Sequence, residues 1–158
     1  MRSVTARLPA YIAVGPTRTA TTWLHQVLDG HVGLPEGVKE TQFFIWNYNL
    51  GLPWYRWHFR NCPPNLPAME IAPTYFDSPE ARQRLKLHIP DSKIICTLRD
   101  PVARAWSHYK HWQQRGLIKG PFAEAAFTHS QIVSAGRYAD HIRAWQEDFG
   151  TANVMILL

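Results

Sequence analysis

Between Gly15 and Trp23 the chain reads Gly-Pro-Thr-Arg-Thr-Ala-Thr-Thr-Trp, so that hydroxyls at Thr17, Thr19, Thr21 and Thr22 and the Arg18 guanidinium crowd into nine residues. If a helix opens there, the place suits an anion, because the first turn of a helix carries backbone N–H groups without intrahelical partners and the positive end of the helix dipole. The nucleoside-triphosphate loop GxxxxGK[ST] is not met: Ala20 and Thr21 stand where its glycine and lysine belong. An ordinary triphosphatase or P-loop kinase is therefore disfavoured. His108 and His111 lie at i, i+3 on one expected helix, but no third ligand is spaced to complete a metal site, so both read as surface or packing residues. Cys62 and Cys96 form no CxxC pair and read as reduced thiols, Cys96 as a small core residue.

These groups need a scaffold. Ala10–Gly15 is a short apolar run ending in Gly-Pro, which predicts a buried strand, and Thr21–Leu28 carries Trp23, Leu24, Val27 and Leu28 on one face, which predicts a helix that Gly30 ends. Trp54–Phe59 is aromatic-rich and reads as a short helix whose rings form core or cleft wall. Ala68–Ala72 predicts a second strand, followed by a helix capped by Ser78, with Pro79 in its first turn and its end near His88. Lys93–Leu98 is the clearest strand, β-branched and unbroken. Pro101 then opens a helix to about Arg115. A last amphipathic helix carries Tyr138, Ile142, Trp145 and Phe149, and the apolar run Val154–Leu158 reads as a strand. Strands separated by helices at this spacing imply a three-layer α/β/α domain with a mostly parallel sheet, whose ligands bind beyond the carboxyl ends of the strands. The search for function narrows to the loops after Gly15, Ala72 and Leu98.

Composition agrees with a packed globule. The 158 residues are 46% hydrophobic and 18% charged, which excludes disorder, and no repeat period supports a solenoid. There is no apolar run long enough for a membrane span, and Met1–Ala10 lacks the apolar core of a signal peptide, which makes a cytoplasmic location the expectation. Seventeen Lys and Arg against twelve Asp and Glu give a formal charge of +5, which points to an anionic partner. No Lys/Arg run or nucleic-acid motif is present, so a small polyanion fits better than nucleic acid.

The Arg18–Trp23 loop resembles the 5′-phosphosulfate loop of the sulfotransferases that use 3′-phosphoadenosine 5′-phosphosulfate (PAPS), in which Lys or Arg, two small residues, Thr-Thr and often Trp follow in order. Leu98–Tyr109 resembles the same family's strand-to-helix element for the 3′-phosphate, with Arg99 and Ser107 at the family's separation. Lys39-Glu40-Thr41-Gln42-Phe43-Phe44 is similar to its Lys-Glu-x-x-Phe-Phe segment, Glu70–Asp77 to its acceptor-lining Pro-x-Tyr-Phe segment, and Gly136–Trp145 to its Gly-x-Tyr…Trp helix. The resemblance implies a sulfotransferase that moves a sulfuryl group from PAPS to a hydroxyl or amine by in-line displacement, on a small-molecule, glycan or lipid acceptor, with no metal. It implies Thr17, Arg18, Thr19, Ala20, Thr21, Thr22, Trp23, Arg99 and Ser107 as donor-binding residues, Trp23 against adenine. Arg18 and Glu40 would be catalytic, Glu40 as base, with Lys39, Glu40, Tyr75 and Asp77 toward the acceptor.

The chain also departs from the family. Arg18 replaces the commoner lysine. Ala20 replaces a usual glycine and restricts the backbone if that position needs positive φ. Gln42 and Ile45 stand where heparan-type members have His and Asp, and Ile71 where they have Lys, which argues against a sulfated-glycan acceptor. In the family the strand at Val154–Leu158 is followed by helices and a basic loop over the adenine, so the expectation is a single domain, 1–158, incomplete at its C-terminal side. A nucleotide-binding protein without turnover is the alternative expectation.

Overall fold

A computed structural model describes residues 7–158. Four short strands form one sheet: β1 (Tyr11–Ala13), β2 (Met69–Ile71), β3 (Lys93–Thr97) and β4 (Val154–Leu157), in the spatial order β2-β1-β3-β4 with every neighbouring pair parallel. The helices are α1 (Thr21–Leu28), α2 (Gly51–Trp57), α3 (Pro79–His88), α4 (Pro101–Gln114), α5 (Phe122–Thr128), α6 (Gln131–Ser134) and α7 (Tyr138–Phe149). Strand alternation sorts the core into two faces. Ile12, Val14, Ile94 and Cys96 pack with Phe43, Phe44, Tyr55, Leu85 and Trp145 on one side, and Ala13, Met69 and Ile71 pack with Leu24 of α1 on the other. With both faces covered, the fold is the α/β/α sandwich that the alternation of strands and helices implied.

Ser78 caps α3 as expected, its Oγ accepting from the Ala81 N–H at 3.1 Å. Trp145 is fully buried, and its indole N–H donates to the Phe76 carbonyl at 3.0 Å. Hiding about 200 Å² of such a ring contributes about 5 kcal/mol at roughly 25 cal/mol per Å². Burial also pushes the Cys96 thiol up to about 12, in keeping with an inert core residue. Both cysteines are free. Within the expected aromatic helix, Tyr55 and Phe59 are buried and Trp57 is exposed. The stretch 117–135, which carries no clear period in sequence, forms α5 and α6 and packs Ile118, Ala125 and Ile132 against Ala105 and Tyr109 of α4. Among the described residues, no helix is long and apolar enough to cross a membrane.

The strand order matters for function. From β1 the chain crosses to β2 on one side, and β3 then lies on the other, so the connections diverge between β1 and β3 and leave a crevice beyond their carboxyl ends. The loops at that crevice are 14–20 and 98–100.

Candidate functional site

Gly15 leaves β1 so close to β3 that a Cβ there would lie 2.1 Å from Thr97 Oγ1 and 2.4 Å from the Thr97 carbonyl, so only glycine fits. The loop is then tied down from within. The Thr19 hydroxyl donates to the Pro16 carbonyl at 2.7 Å, which leaves its oxygen to accept from Thr97 Oγ1 at 2.9 Å. Two non-glycine residues here adopt left-handed backbone, Arg18 at φ 75° and Ala20 at φ 63°. Ala20 is the N-cap of α1 and offers no side-chain cap, so the first amides of the helix stay open to the crevice. The glycine that the family usually carries at this position therefore has a physical reason. Ala20→Gly should relieve about 1–2 kcal/mol of left-handed strain and lose about 0.4–1 kcal/mol through a freer unfolded chain. The expected result in urea unfolding is a net gain of up to about 1.6 kcal/mol, and a loss of stability would contradict it.

The Arg18 side chain turns toward α4, its Nε donating to Ser107 Oγ at 3.0 Å. Beneath it lies Arg104, fully buried and with no carboxylate in ion-pair contact among the described residues. Its guanidinium donates to the Ile132 carbonyl, to the Thr17 carbonyl at 3.5 Å and to His108 Nδ1 at 3.4 Å. Burial pulls the Arg104 pKa down. Tyr138 and the Asp77 carboxylate, beyond ion-pair distance, oppose that shift, so a positive charge without a direct ion-pair partner sits under the loop.

Two cavities of about 400 and 390 Å³ open from this loop and share one wall, Arg18, Thr21 and Thr22. The first continues over Thr19 and Ala20 to Leu98 and Arg99. Arg99 is exposed, and its carbonyl accepts from the Tyr138 hydroxyl at 2.9 Å, so α7 steadies the end of β3. The second is lined by Thr17, Lys39, Glu40, Thr74 and residues of α4 and the turn after it.

Glu40 faces that second cavity. Burial raises its carboxyl pKa, against the opposing effects of Lys39 and Gln42. Lys39 Nζ lies 3.7 Å from Glu40 Oε1 and donates to Thr22 Oγ1 at 2.9 Å, joining the Lys-Glu segment to the anion loop. The segment is anchored from below by Glu70 of β2, which is fully buried. Its carboxylate accepts from the Thr41 N–H at 3.1 Å, the Thr41 hydroxyl, the Tyr55 hydroxyl at 2.7 Å and the Tyr75 hydroxyl at 3.3 Å. Burial raises the Glu70 pKa while these donors oppose it. Nothing in the local sequence singles out Glu70, because Thr41 and Tyr55, which supply three of the four donors, come from distant segments.

Expected site residues divide into groups. Thr17, Arg18, Thr19, Ala20, Thr21, Thr22, Lys39, Glu40 and Arg99 all line one or both cavities, and Ser107 reaches the loop through Arg18. Trp23 lines neither and is 61% exposed on α1. Tyr75 and Asp77 require correction as acceptor-facing residues. Tyr75 is fully buried with its hydroxyl between Glu70 and the Phe44 N–H, and Asp77 is half-buried and lines neither cavity; Thr74 is the cavity-lining residue of that segment. His108 and His111, expected at the surface or in packing, line the second cavity with Trp112 and Arg115, and His108 is buried with its ring edge-on to Trp112. Burial and the Arg104, His111 and Arg18 charges hold the His108 imidazole down to about 4, so it is neutral near pH 7. The signal was helical: 104, 108 and 111 recur at steps of four and three on one face of α4, and Arg115 follows at its C-cap four residues on.

Comparison with known proteins follows the same lines. The family model described as "Sulfotransferase domain" matches residues 8–158. Human "Bifunctional heparan sulfate N-deacetylase/N-sulfotransferase 3" is 35% identical over 175 residues, covering 96% of this chain and 20% of the relative. The mouse protein "Bifunctional heparan sulfate N-deacetylase/N-sulfotransferase 4" is 31% identical over 174 residues, with 95% and 20% covered. The chain thus spans about a fifth of the length of these relatives. In fold it is similar to the crystal structure of a sulfotransferase from Alicyclobacillus acidocaldarius, with a TM-score of 0.84 at 24% identity over 96% of this chain and 73% of that one.

Proposed function

We propose, on the premise that this chain belongs to the sulfotransferase domain family, that it moves a sulfuryl group from PAPS to an amine or hydroxyl by in-line displacement. One observation carries the reading: the Arg18–Thr21–Thr22 wall is common to a cavity that leads to Arg99 and a cavity that leads to Glu40. Such a wall is where the two substrates must meet. The phosphosulfate would lie against Arg18, the two threonine hydroxyls and the open amides of α1, which can hold negative charge as it builds on the leaving 5′-phosphate oxygen. Arg99, with its planar fork, and Ser107 would take the 3′-phosphate and so distinguish PAPS from ATP. On the far side Glu40 would accept the proton of the acceptor as its nitrogen or oxygen approaches sulfur. The reaction resembles phosphoryl transfer, in which positioning and charge neutralisation do most of the work.

The acceptor reading follows the relatives more than the departures in the motifs. Proteins with heparan sulfate in their names match this chain at 31–35% identity, which supports a glycan acceptor although Gln42, Ile45 and Ile71 depart from the heparan-type motifs. Arg18, Lys39 and Arg115 around Glu40 suit an anionic acceptor. An N-deacetylated heparan chain, whose free amine is a nucleophile once deprotonated, is the first acceptor to try.

Binding tests the donor half of this reading without any acceptor. The desulfated product, 3′,5′-bisphosphoadenosine, should raise the melting temperature and ATP should not; at a hundredfold excess over Kd the gain is about 2.7 kcal/mol. Arg99→Ala should weaken that binding by one to two orders of magnitude, roughly the worth of a charge-assisted hydrogen bond. Equal protection by ATP and the bisphosphate would overturn the proposal.

A further inference from the structure

We propose that Gln42, held by Thr74, is a positioning residue for Glu40: it fixes carboxylate oxygen Oε2 and leaves Oε1 to receive the proton of the acceptor. The proposal rests on the reading of Glu40 as base. Gln42 Nε2 donates to Glu40 Oε2 at 2.7 Å, and the Thr74 hydroxyl donates to Gln42 Oε1 at 2.6 Å. The direction of this relay is imposed by its ends. An ionised carboxylate can only accept, so the NH₂ end of the amide must face Glu40, and its oxygen then needs a donor, which Thr74 supplies. Remove the Thr74 hydroxyl and the amide loses the group that sets its orientation.

The backbone is arranged around the same contact. Gln42 sits at φ 53°, a left-handed conformation that an L residue adopts at a cost, and its carbonyl accepts from the N–H groups of Ile45, Trp46 and Asn47 at 3.3, 3.0 and 3.2 Å. Thr41, between Gln42 and Glu40, is locked on both sides: Glu70 takes its N–H, and Asn47 Nδ2 donates to its carbonyl at 2.7 Å. Held this way, the Gln42 side chain reaches back to the Glu40 carboxylate two residues earlier. The charged and titratable groups that face Glu40 across the cavity are Lys39 of its own segment, Arg18 of the anion loop, and His108, His111 and Arg115 on or after α4. Gln42 is the neutral one among its polar neighbours that bonds it directly, and it favours the ionised form against burial.

Carbon-13 NMR of carboxyl-labelled Glu in the full chain reads this without an acceptor, with the Glu40 resonance assigned by its loss in Glu40→Gln. Gln42→Leu should raise the Glu40 titration midpoint by about one pH unit, the order expected for losing one hydrogen bond to a charged group. Thr74→Val should move it in the same direction by less, and Thr74→Val added to Gln42→Leu should move it no further. If Gln42→Leu does not fold, the Thr74→Val shift decides alone. An unmoved midpoint in the folded variants overturns the positioning role even if Glu40→Gln abolishes transfer. Conversely, a shifted midpoint with full transfer by Glu40→Gln would leave the relay standing and sink the reading of Glu40 as base.

Discussion

Glu40→Gln is expected to lower kcat for sulfate transfer by about 10²–10⁴-fold, the usual worth of a positioned general base, while affinity for 3′,5′-bisphosphoadenosine changes little. The substitution keeps the shape of the side chain and its bond to Gln42 within reach, but removes the lone pair that would take the proton. Its effect should appear in kcat, because the donor cavity ends at the shared wall and does not include Glu40. The pH profile carries the sign. Glu40 acts as base only when ionised, and burial raises its pKa above the ordinary carboxylate value, so turnover should rise with pH through a limb that lies above that value. In Glu40→Gln that limb should vanish. Full turnover by the variant in a labelled-PAPS assay on N-deacetylated heparan would remove Glu40 from the chemistry.

Arg18→Ala should cost about 10²–10³-fold in kcat, comparable to removing one donor from an oxyanion site. Arg18 belongs to both cavities, and its guanidinium bonds to Ser107 89 positions away in sequence, so its loss strips the shared wall of its charge and frees the Ser107 hydroxyl together. The contrast with Arg99 is the discriminating feature. Arg99 lines only the donor cavity, so Arg99→Ala should act on the KM for PAPS and leave kcat nearly intact. Steady-state kinetics that show the reverse pattern, with Arg18 affecting only KM, would place the leaving-group charge elsewhere. Arg18→Lys is the matching control: it keeps the charge but not the planar fork that reaches Ser107.

Much of the architecture was legible in local pattern. Lys93–Thr97 could be read as a strand because a β-branched run needs no distant partner to declare itself, and Ser78-Pro79 as a helix start because capping is a matter of three or four residues. The 117–135 stretch was not legible, since α5 and α6 are short and are held by Ile118, Ala125 and Ile132 against α4 rather than by their own periodicity. Tyr75 shows the other limit. A family motif carries a residue to a position, but whether its hydroxyl meets a cavity or a buried Glu70 depends on which way a 3₁₀ turn presents it.

By itself the sequence laid out the candidate groups: threonines and one arginine at an expected helix start from their own types and spacing, and the Arg99–Ser107 pair and the Glu40 carboxylate beside Lys39 through the family resemblance. Each lies within a single segment, where spacing along a helix or strand sets geometry. The tertiary structure alone decided how these segments combine. It set Arg18 against Ser107, made one wall serve two cavities, turned the 108–111 face of α4 toward Glu40, and placed Glu70 and the Thr74–Gln42 relay behind that carboxylate. The reason is physical: hydrogen bonds and burial between groups 29 to 89 residues apart arise only when the parallel sheet brings loop ends to a common edge, and no local period encodes that meeting.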